Sequence, residues 1–260
     1  MKIALCQIEV SRDKRENIER ARDMLLEAGG KGANIAILPE MFCIKYDPSL
    51  FERAAEPCPG GECFEMLEEC AKASGMTIIG GSVPERDGDR IYNTCMCFYG
   101  NGSYAGKYRK AHLFDVDLPG FRFYESETVS PGSQRPLMLH DPAKIGVSIC
   151  FDVRFPEWMR FMFDQDADII ALPAAFSRRT GPRHWELLLR ARALDNQCFV
   201  AGVSPSKSSY GHSLIASPDG SVIVSAKEDP CLIVQEIDLS EADDLRNSIP
   251  IKTCRRTDLY

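Results

Sequence analysis

No apolar run in this chain approaches the ~20 residues that a membrane-spanning helix needs, so no membrane span is expected. Nor is there an excess of basic charge. Lys and Arg number 31 against 38 Asp and Glu, and the resulting net charge of −7 and pI near 5.3 exclude nucleic acid as the main partner, since nothing supplies a broad cationic surface. Short basic clusters, Lys107 to Lys110 and Arg255-Arg256, read as ordinary solvated charge. Histidine is scarce and scattered, at His112, His140, His184 and His212, while Cys58, Cys63, Cys70, Cys95 and Cys97 lack paired two-residue knuckle spacing. No metal site is therefore expected. The chain opens directly into a strand-like alternation, without a charged-then-apolar targeting segment, which predicts a cytoplasmic setting. Without an export signal, Asn101-Gly102-Ser103 reads as a hairpin turn rather than a glycosylation acceptor.

What is present is material for a large core: 260 residues, 44% of them hydrophobic. Eleven cysteines is an odd number, and many lie inside apolar strands, so reduced thiols are expected rather than a disulfide framework. Periodicity predicts a strand over 2–10, a helix from Asp13 to Ala28 ended by Gly29-Gly30, and a buried strand over 34–39. A helix over 63–73, a strand over 76–81 and a strand pair at 91–99 and 104–110 follow. Residues 111–142, punctuated by Pro119-Gly120, Pro131-Gly132 and Asp141-Pro142, read as a long irregular connection of the kind that is usually functional. The order then restarts with a strand over 144–150, a helix over 156–165, a strand over 168–172, a helix over 182–196 and a strand over 198–203. Hairpin-like strands over 212–217, 221–226 and 231–237 close it.

The restart is also visible in the letters. Asn34 to Phe42 and Asp168 to Phe176 share Ile, Leu, Pro and Phe at the same offsets. Chance similarity between two buried strands is the alternative to an internal repeat. With the repeated order of elements, the expectation is an α/β fold, a two-sheet α-β-β-α sandwich with a pseudo-twofold internal repeat. One domain over 1–260 is expected, its first half about 1–110, its connecting segment 111–142 and its second half 143–260.

Candidate chemistry sits at strand ends. Ile145, Val147 and Ile149 alternate with Gly146, Ser148 and Cys150, a strand with one branched and one small face, and Pro156-Glu157 suits a helix start. Cys150 is then placed at a strand-to-helix corner, where helix amides favour the thiolate. The alternative is a buried structural cysteine. Glu40 and Lys110, taken singly, are equally compatible with surface salt bridges.

Together these residues resemble the nitrilase superfamily of carbon–nitrogen hydrolases, whose catalytic Glu, Lys and Cys occur in that chain order. Leu38-Pro39-Glu40-Met41-Phe42 is similar to its glutamate motif, Tyr108 to Phe114 to its lysine motif, and Gly146 to Glu157 to its cysteine motif. Phe114 to Gly120, Thr180 to Leu188 and the tail Arg255 to Tyr260 are similar to omega-amidases and deaminated-glutathione amidases. The resemblance implies that Cys150 attacks an amide carbonyl, Glu40 carries protons and Lys110 stabilises the oxyanion, with Glu125 as a second glutamate that orients Lys110 or the substrate. It implies Phe151, Arg154, Phe176 and Thr180 as substrate-binding residues, no metal or organic cofactor, a small-molecule amide as substrate, and a homodimer or larger assembly. Arg154 is the first candidate for a substrate carboxylate; its alternative is a structural pair with Glu157. Arg178, Arg179 and Arg183 depart from the more neutral pattern expected of omega-amidases, and either favour a more acidic substrate or face solvent. Deaminated glutathione or an N-carbamoyl compound is the competing substrate class, and a noncatalytic redox or interaction protein is the competing class of function.

Overall fold

The structure, a computed structural model, describes residues 1–259; Tyr260, the last residue of the tail motif, lies outside the described residues. Its first part runs β1 (Lys2–Gln7), α1 (Lys14–Gly30), β2 (Ile35–Ile37), α2 (Pro48–Ala54), α3 (Glu62–Ser74), β3 (Thr77–Ile79), β4 (Val83–Asp87), β5 (Arg90–Phe98) and β6 (Tyr104–Arg109). A hairpin of β7 (Asp115–Leu118) and β8 (Phe121–Tyr124) and the short β9 (Leu137–Leu139) follow. Then come β10 (Ile145–Val147), α4 (Pro156–Asp164), β11 (Ile169–Pro173), α5 (Gly181–Asn196), β12 (Phe199–Val203), β13 (Leu214–Ala216), β14 (Val222–Ser225), β15 (Cys231–Glu236), α6 (Ser240–Ser248) and α7 (Ile251–Cys254).

Local chemistry accounts for the helix ends. The Asp13 carboxylate accepts from the Glu16 amide at 3.1 Å to start α1, whose Ile18, Ala21, Leu25 and Ala28 then face inward at helical spacing. Gly75, at φ +70°, ends α3 with its amide on the Ala71 carbonyl, a conformation that costs glycine little.

The strands form two main sheets. In the first, β1, β2 and β3 run parallel at the centre; in the second, β10, β11 and β12 do the same. Inward side chains of both, including Ile3, Leu5, Ile35 and Ile37 from one and Ile145, Val147, Ile169 and Val203 from the other, belong to a single buried cluster. The sheets therefore face each other across a common core. Ala4, Cys6, Ala36 and Ile78 point the other way, into a second cluster with residues of α1 and α3. On the outer face of the second sheet, a Cβ at Gly146 would stand 2.3 Å from Met162 Sδ on α4, and one at Gly202 would stand 2.7–2.8 Å from Leu189 and Trp185 on α5. Gly146, between Ile145 and Val147 on β10, and Gly202 on β12 thus let α4 and α5 close onto the sheet. This is the expected sandwich.

Several expectations are corrected. The strand over 231–237 does not extend the hairpins before it: β14 pairs with β13, but β15 crosses to the first sheet and runs antiparallel to β1. Alternation identifies a strand without naming its partner. The crossing is secured by buried Gln7, whose Nε2 donates to the Lys227 and Asp229 carbonyls at 2.7 Å each, while its Oε1 accepts from the Ser213 amide and hydroxyl at 2.9 and 2.8 Å. The segment 111–142 is more ordered than expected, holding β7, β8 and a single 3₁₀ turn at Glu125–Glu127, and its β9 forms an edge of the second sheet against β10. The elements α2, α6, α7 and β4 have no counterpart in the sequence reading because they are short or lack a periodic apolar face.

All eleven cysteines are free thiols. Among the described residues no helix is long and apolar enough to cross a membrane, and no cluster of His, Cys, Asp and Glu could hold a metal ion.

The seating of α4 on Gly146 is testable. Replacing Gly146 with Val is expected to destabilise the protein by about 1–3 kcal/mol, the usual cost of forcing atoms into a filled core, read as a lowered Tm; unchanged thermal unfolding would contradict this packing.

Candidate active site

The strand β10 delivers the chain to Cys150, which adopts φ +43°, a left-handed conformation that is uncommon for a residue with a side chain. A 3₁₀ turn over Cys150–Arg154 then intervenes before α4 begins at Pro156. The buried Asp152 carboxylate holds this turn. Its Oδ2 accepts from the Ile149 amide at 2.9 Å and from the Tyr108 hydroxyl at 2.7 Å, and its Oδ1 accepts from the His112 amide at 3.1 Å and contacts His112 Nδ1 at 2.7 Å. One carboxylate therefore ties the cysteine turn to both flanks of Lys110.

Glu40 leaves the end of β2, and the corresponding segment of the second sheet leaves β11 beside it. The Glu40 amide donates to the Ala174 carbonyl at 3.2 Å, and the Ala175 amide donates to Glu40 Oε2 at 2.7 Å. The two similar stretches noted in the sequence meet here, Glu40 at the same offset as Ala174. Lys110 follows β6, its amide on the Asn93 carbonyl at 2.8 Å. Its ammonium donates to Glu40 Oε1 and Glu125 Oε2 at 2.8 Å each, and to the Tyr46 hydroxyl at 3.3 Å. Asn93 Nδ2 bridges the two carboxylates, donating to Glu40 Oε1 at 2.8 Å and Glu125 Oε1 at 3.0 Å, and the Phe114 amide completes Glu125 at 2.7 Å. Glu40, Lys110 and Glu125 are at most 1% exposed.

Burial would lower the Lys110 pKa, but Glu125 and Glu40 outweigh it and raise the pKa, so the ammonium stays charged. Burial raises the pKa of Glu40, and Lys110 only partly opposes it. Burial, reinforced by Glu40, also raises Cys150 well above the ordinary thiol range against the opposing pull of Lys110 and the Ala175 amide. This corrects the expectation of a thiolate favoured by helix amides. The helix start is displaced by the 3₁₀ turn, and two carboxylates around one ammonium already leave the cluster negative, so the resting sulfur keeps its proton.

Cys150 and Glu40 open onto a cavity of about 260 Å³. All four residues expected to bind substrate, Phe151, Arg154, Phe176 and Thr180, line it. Lys110 and Glu125 stand behind its wall. The Arg154 guanidinium lies 5.6 Å from the Phe151 ring centre and 5.3 Å from that of Phe176, and meets His184 Nδ1 at 3.2 Å. No ion pair joins it to Glu157 or to any other carboxylate among the described residues. Of the three arginines that depart from the expected pattern, Arg178 lines the cavity but is paired with Glu228 at 2.9 Å and donates to the Ser209 carbonyl. Arg179 packs on Phe121 of the β7–β8 hairpin, and Arg183 is exposed.

Sequence reasoning missed Tyr46, Asn93 and Asp152, and the cavity walls formed by Phe121, Phe123, Ser208 and Ser209. Asn93 carried a signal, a polar residue within the apolar run Ile91 to Phe98. Tyr46 carried none, since Asp47-Pro48 beside it reads only as a helix start.

The sequence pattern of the carbon–nitrogen hydrolase family matches residues 2–247. The chain is 46% identical to omega-amidase NIT2 of Xenopus tropicalis and 42% identical to omega-amidase NIT2 of Danio rerio, in each case over all of this chain and 96% of the relative. The fold is similar to the crystal structure of Saccharomyces cerevisiae Nit3, a member of branch 10 of the nitrilase superfamily, with a TM-score of 0.90 at 33% identity over 98% of this chain and 96% of that one. With that agreement extending over nearly its whole length, the chain belongs to the carbon–nitrogen hydrolase family, within the nitrilase superfamily.

Proposed function

We propose that the protein is a thiol-dependent amidohydrolase that cleaves the terminal amide of a small 2-oxo dicarboxylic acid, the omega-amidase reaction, yielding a carboxylate and ammonia. The observation that carries this reading is the buried Glu40–Lys110–Glu125 cluster set behind Cys150, in a cavity whose guanidinium, Arg154, has no carboxylate partner among the described residues. The identity to omega-amidases supports the substrate class.

In this mechanism Cys150 Sγ bonds to the amide carbon as its proton passes to Glu40. General-base assistance is required because the resting thiol is protonated. Negative charge on the carbonyl oxygen is met by the positive charge of Lys110 behind the cavity wall and by the Phe151 amide as donor; one such donor is typically worth about 3–4 kcal/mol of barrier. The C–N bond breaks and ammonia leaves with the proton from Glu40. Water then attacks the thioester, Glu40 again takes the proton, and the thiol is regenerated with release of the acid. Glu125 keeps Lys110 charged and aimed. Arg154 takes the distal carboxylate, a contact favoured because hydrogen bonds between ions are the strong ones. The Phe151 and Phe176 rings flank that guanidinium, and Thr180 adds a hydroxyl. Arg178 has its charge already met by Glu228, so it does not call for a more acidic substrate.

Ammonia release from 2-oxoglutaramate and succinamate, measured for the native chain and for Cys150→Ala, is expected to be lost in the variant; equal rates would remove Cys150 from its role. Because Glu40 acts as a base and its pKa is raised, it loses its charge earlier than an ordinary carboxylate as pH falls. The acid limb of kcat/KM is therefore expected above the usual carboxylate range, and a limb within that range would contradict the assignment. Arg154→Gln is expected to raise KM for ω-amides bearing a distal carboxylate by about 10- to 100-fold, the worth of a charged hydrogen bond, with little effect on amides lacking that group. Equal losses on both kinds of amide would show that Arg154 does not read the carboxylate.

A further inference from the structure

The Lys110 ammonium has three N–H bonds, and all are engaged. Glu40 and Glu125 accept two of them at 2.8 Å, and Tyr46 Oη accepts the third at 3.3 Å. Lys110 is wholly buried and is not part of the cavity wall, whereas Tyr46 lines the cavity together with Glu40 and Cys150. To act on an oxygen in the cavity, Lys110 must either give up a short ion pair or work through its long third contact. Breaking an ion pair leaves a buried carboxylate without its counter-ion, which is strongly unfavourable. The third contact lies beyond the usual N–H···O distance and is the least costly to rearrange.

Tyr46 is held firmly in place. Its ring meets Phe51 edge-on at 5.5 Å and Phe123 at 5.7 Å. The chain on either side is pinned by the Met41 amide on Ser82 Oγ at 2.9 Å, the Lys45 amide on the Ser11 carbonyl at 3.0 Å, and the Asp47 carboxylate capping α2. The phenol oxygen accepts from Lys110, and its O–H turns about the C–O bond beside the Glu125 carboxylate, which already accepts from Lys110, Asn93 and the Phe114 amide. The O–H is therefore easily redirected. Burial, then Glu125 and Glu40, hold the phenol well above its ordinary pKa, so it keeps its proton.

We propose that Tyr46 is a further catalytic residue of the amide hydrolysis, its O–H donating to the carbonyl oxygen as that oxygen becomes negative while its own oxygen accepts from Lys110 Nζ. The proposal rests on the thioester reading given above. No proton leaves the phenol. As the C–S bond forms and the thiol proton passes to Glu40, the Tyr46 O–H turns to the oxyanion; it turns away again when the C–N bond breaks and ammonia departs. Accepting a bond from an ammonium polarises the O–H and strengthens its donation.

The test uses Tyr46→Phe in the full chain, which keeps the ring and its contacts. Two reactions of Cys150 are compared: succinamate hydrolysis, which passes through an oxyanion, and alkylation by iodoacetamide, a displacement at saturated carbon, which does not. The expected result is a kcat lowered by about 10²-fold, as for loss of one oxyanion donor, with KM nearly unchanged and Cys150 alkylated at close to the native rate by peptide mass spectrometry. Native kcat in the variant overturns the proposal. So does a parallel loss of hydrolysis and alkylation, which assigns Tyr46 to shaping the wall alone. The native chain separates this failure from that of the amidase reading: if it is alkylated at Cys150 but releases no ammonia from any ω-amide, the reading itself falls, and the Tyr46 proposal with it.

Discussion

A lysine ammonium enclosed between two carboxylates and removed from water is the constraint around which the rest of the structure is arranged. Taking three charges into the interior is unfavourable by several kcal/mol per ion unless each finds partners of good geometry. Here each does: Lys110 bonds to Glu40, Glu125 and Tyr46, Asn93 bridges the two carboxylates, and the Ala175 and Phe114 amides complete them. These partners come from β5, the chain after β2, β6 and β11, and the segment around the β7–β8 hairpin. The cluster is satisfied only when both sheets and the connection between them are in place.

The sandwich brings that about through its internal symmetry. Parallel strands in each sheet end in similar Leu-Pro stretches, and facing the sheets sets those ends together, so that Glu40 lies hydrogen-bonded to Ala174 and Ala175. Only one of the two equivalent positions carries a carboxylate. Asp152 performs the matching task for the other two motifs, fastening the cysteine turn to Tyr108 and His112 on either side of Lys110. Gln7 and the crossing of β15 to β1 then lock one sheet against the other.

The electrostatics follow from this burial. With the cluster already negative, ionising Cys150 would add a further charge in a site of low polarisability, and the thiol is held protonated at rest. In the proposed mechanism the sulfur becomes a nucleophile by handing its proton to Glu40, whose pKa burial raises above that of an exposed carboxylate. On the cavity wall Arg154 has no carboxylate partner among the described residues and lies between the Phe151 and Phe176 rings, where the proposed substrate anion would be its partner.

What the sequence determined by itself is the family and most of the framework that carries the candidate groups. Apolar periodicity located the central strands and the helices α1, α3, α4 and α5, because these patterns are dictated by one buried face and are read locally. The motifs around Glu40, Lys110 and Cys150 pointed to the family, and the four residues expected to bind substrate do line the cavity. Only the tertiary structure decided the partner of β15, the ordering of the hairpin in 111–142, the burial that raises the Cys150 pKa, the lack of a carboxylate partner for Arg154 among the described residues, and the place of Tyr46 and Asn93 beside Lys110. Each of these depends on which groups far apart in the chain come within a few ångströms of one another, and hydrogen bonding, desolvation and charge pairing act over that distance rather than along the sequence.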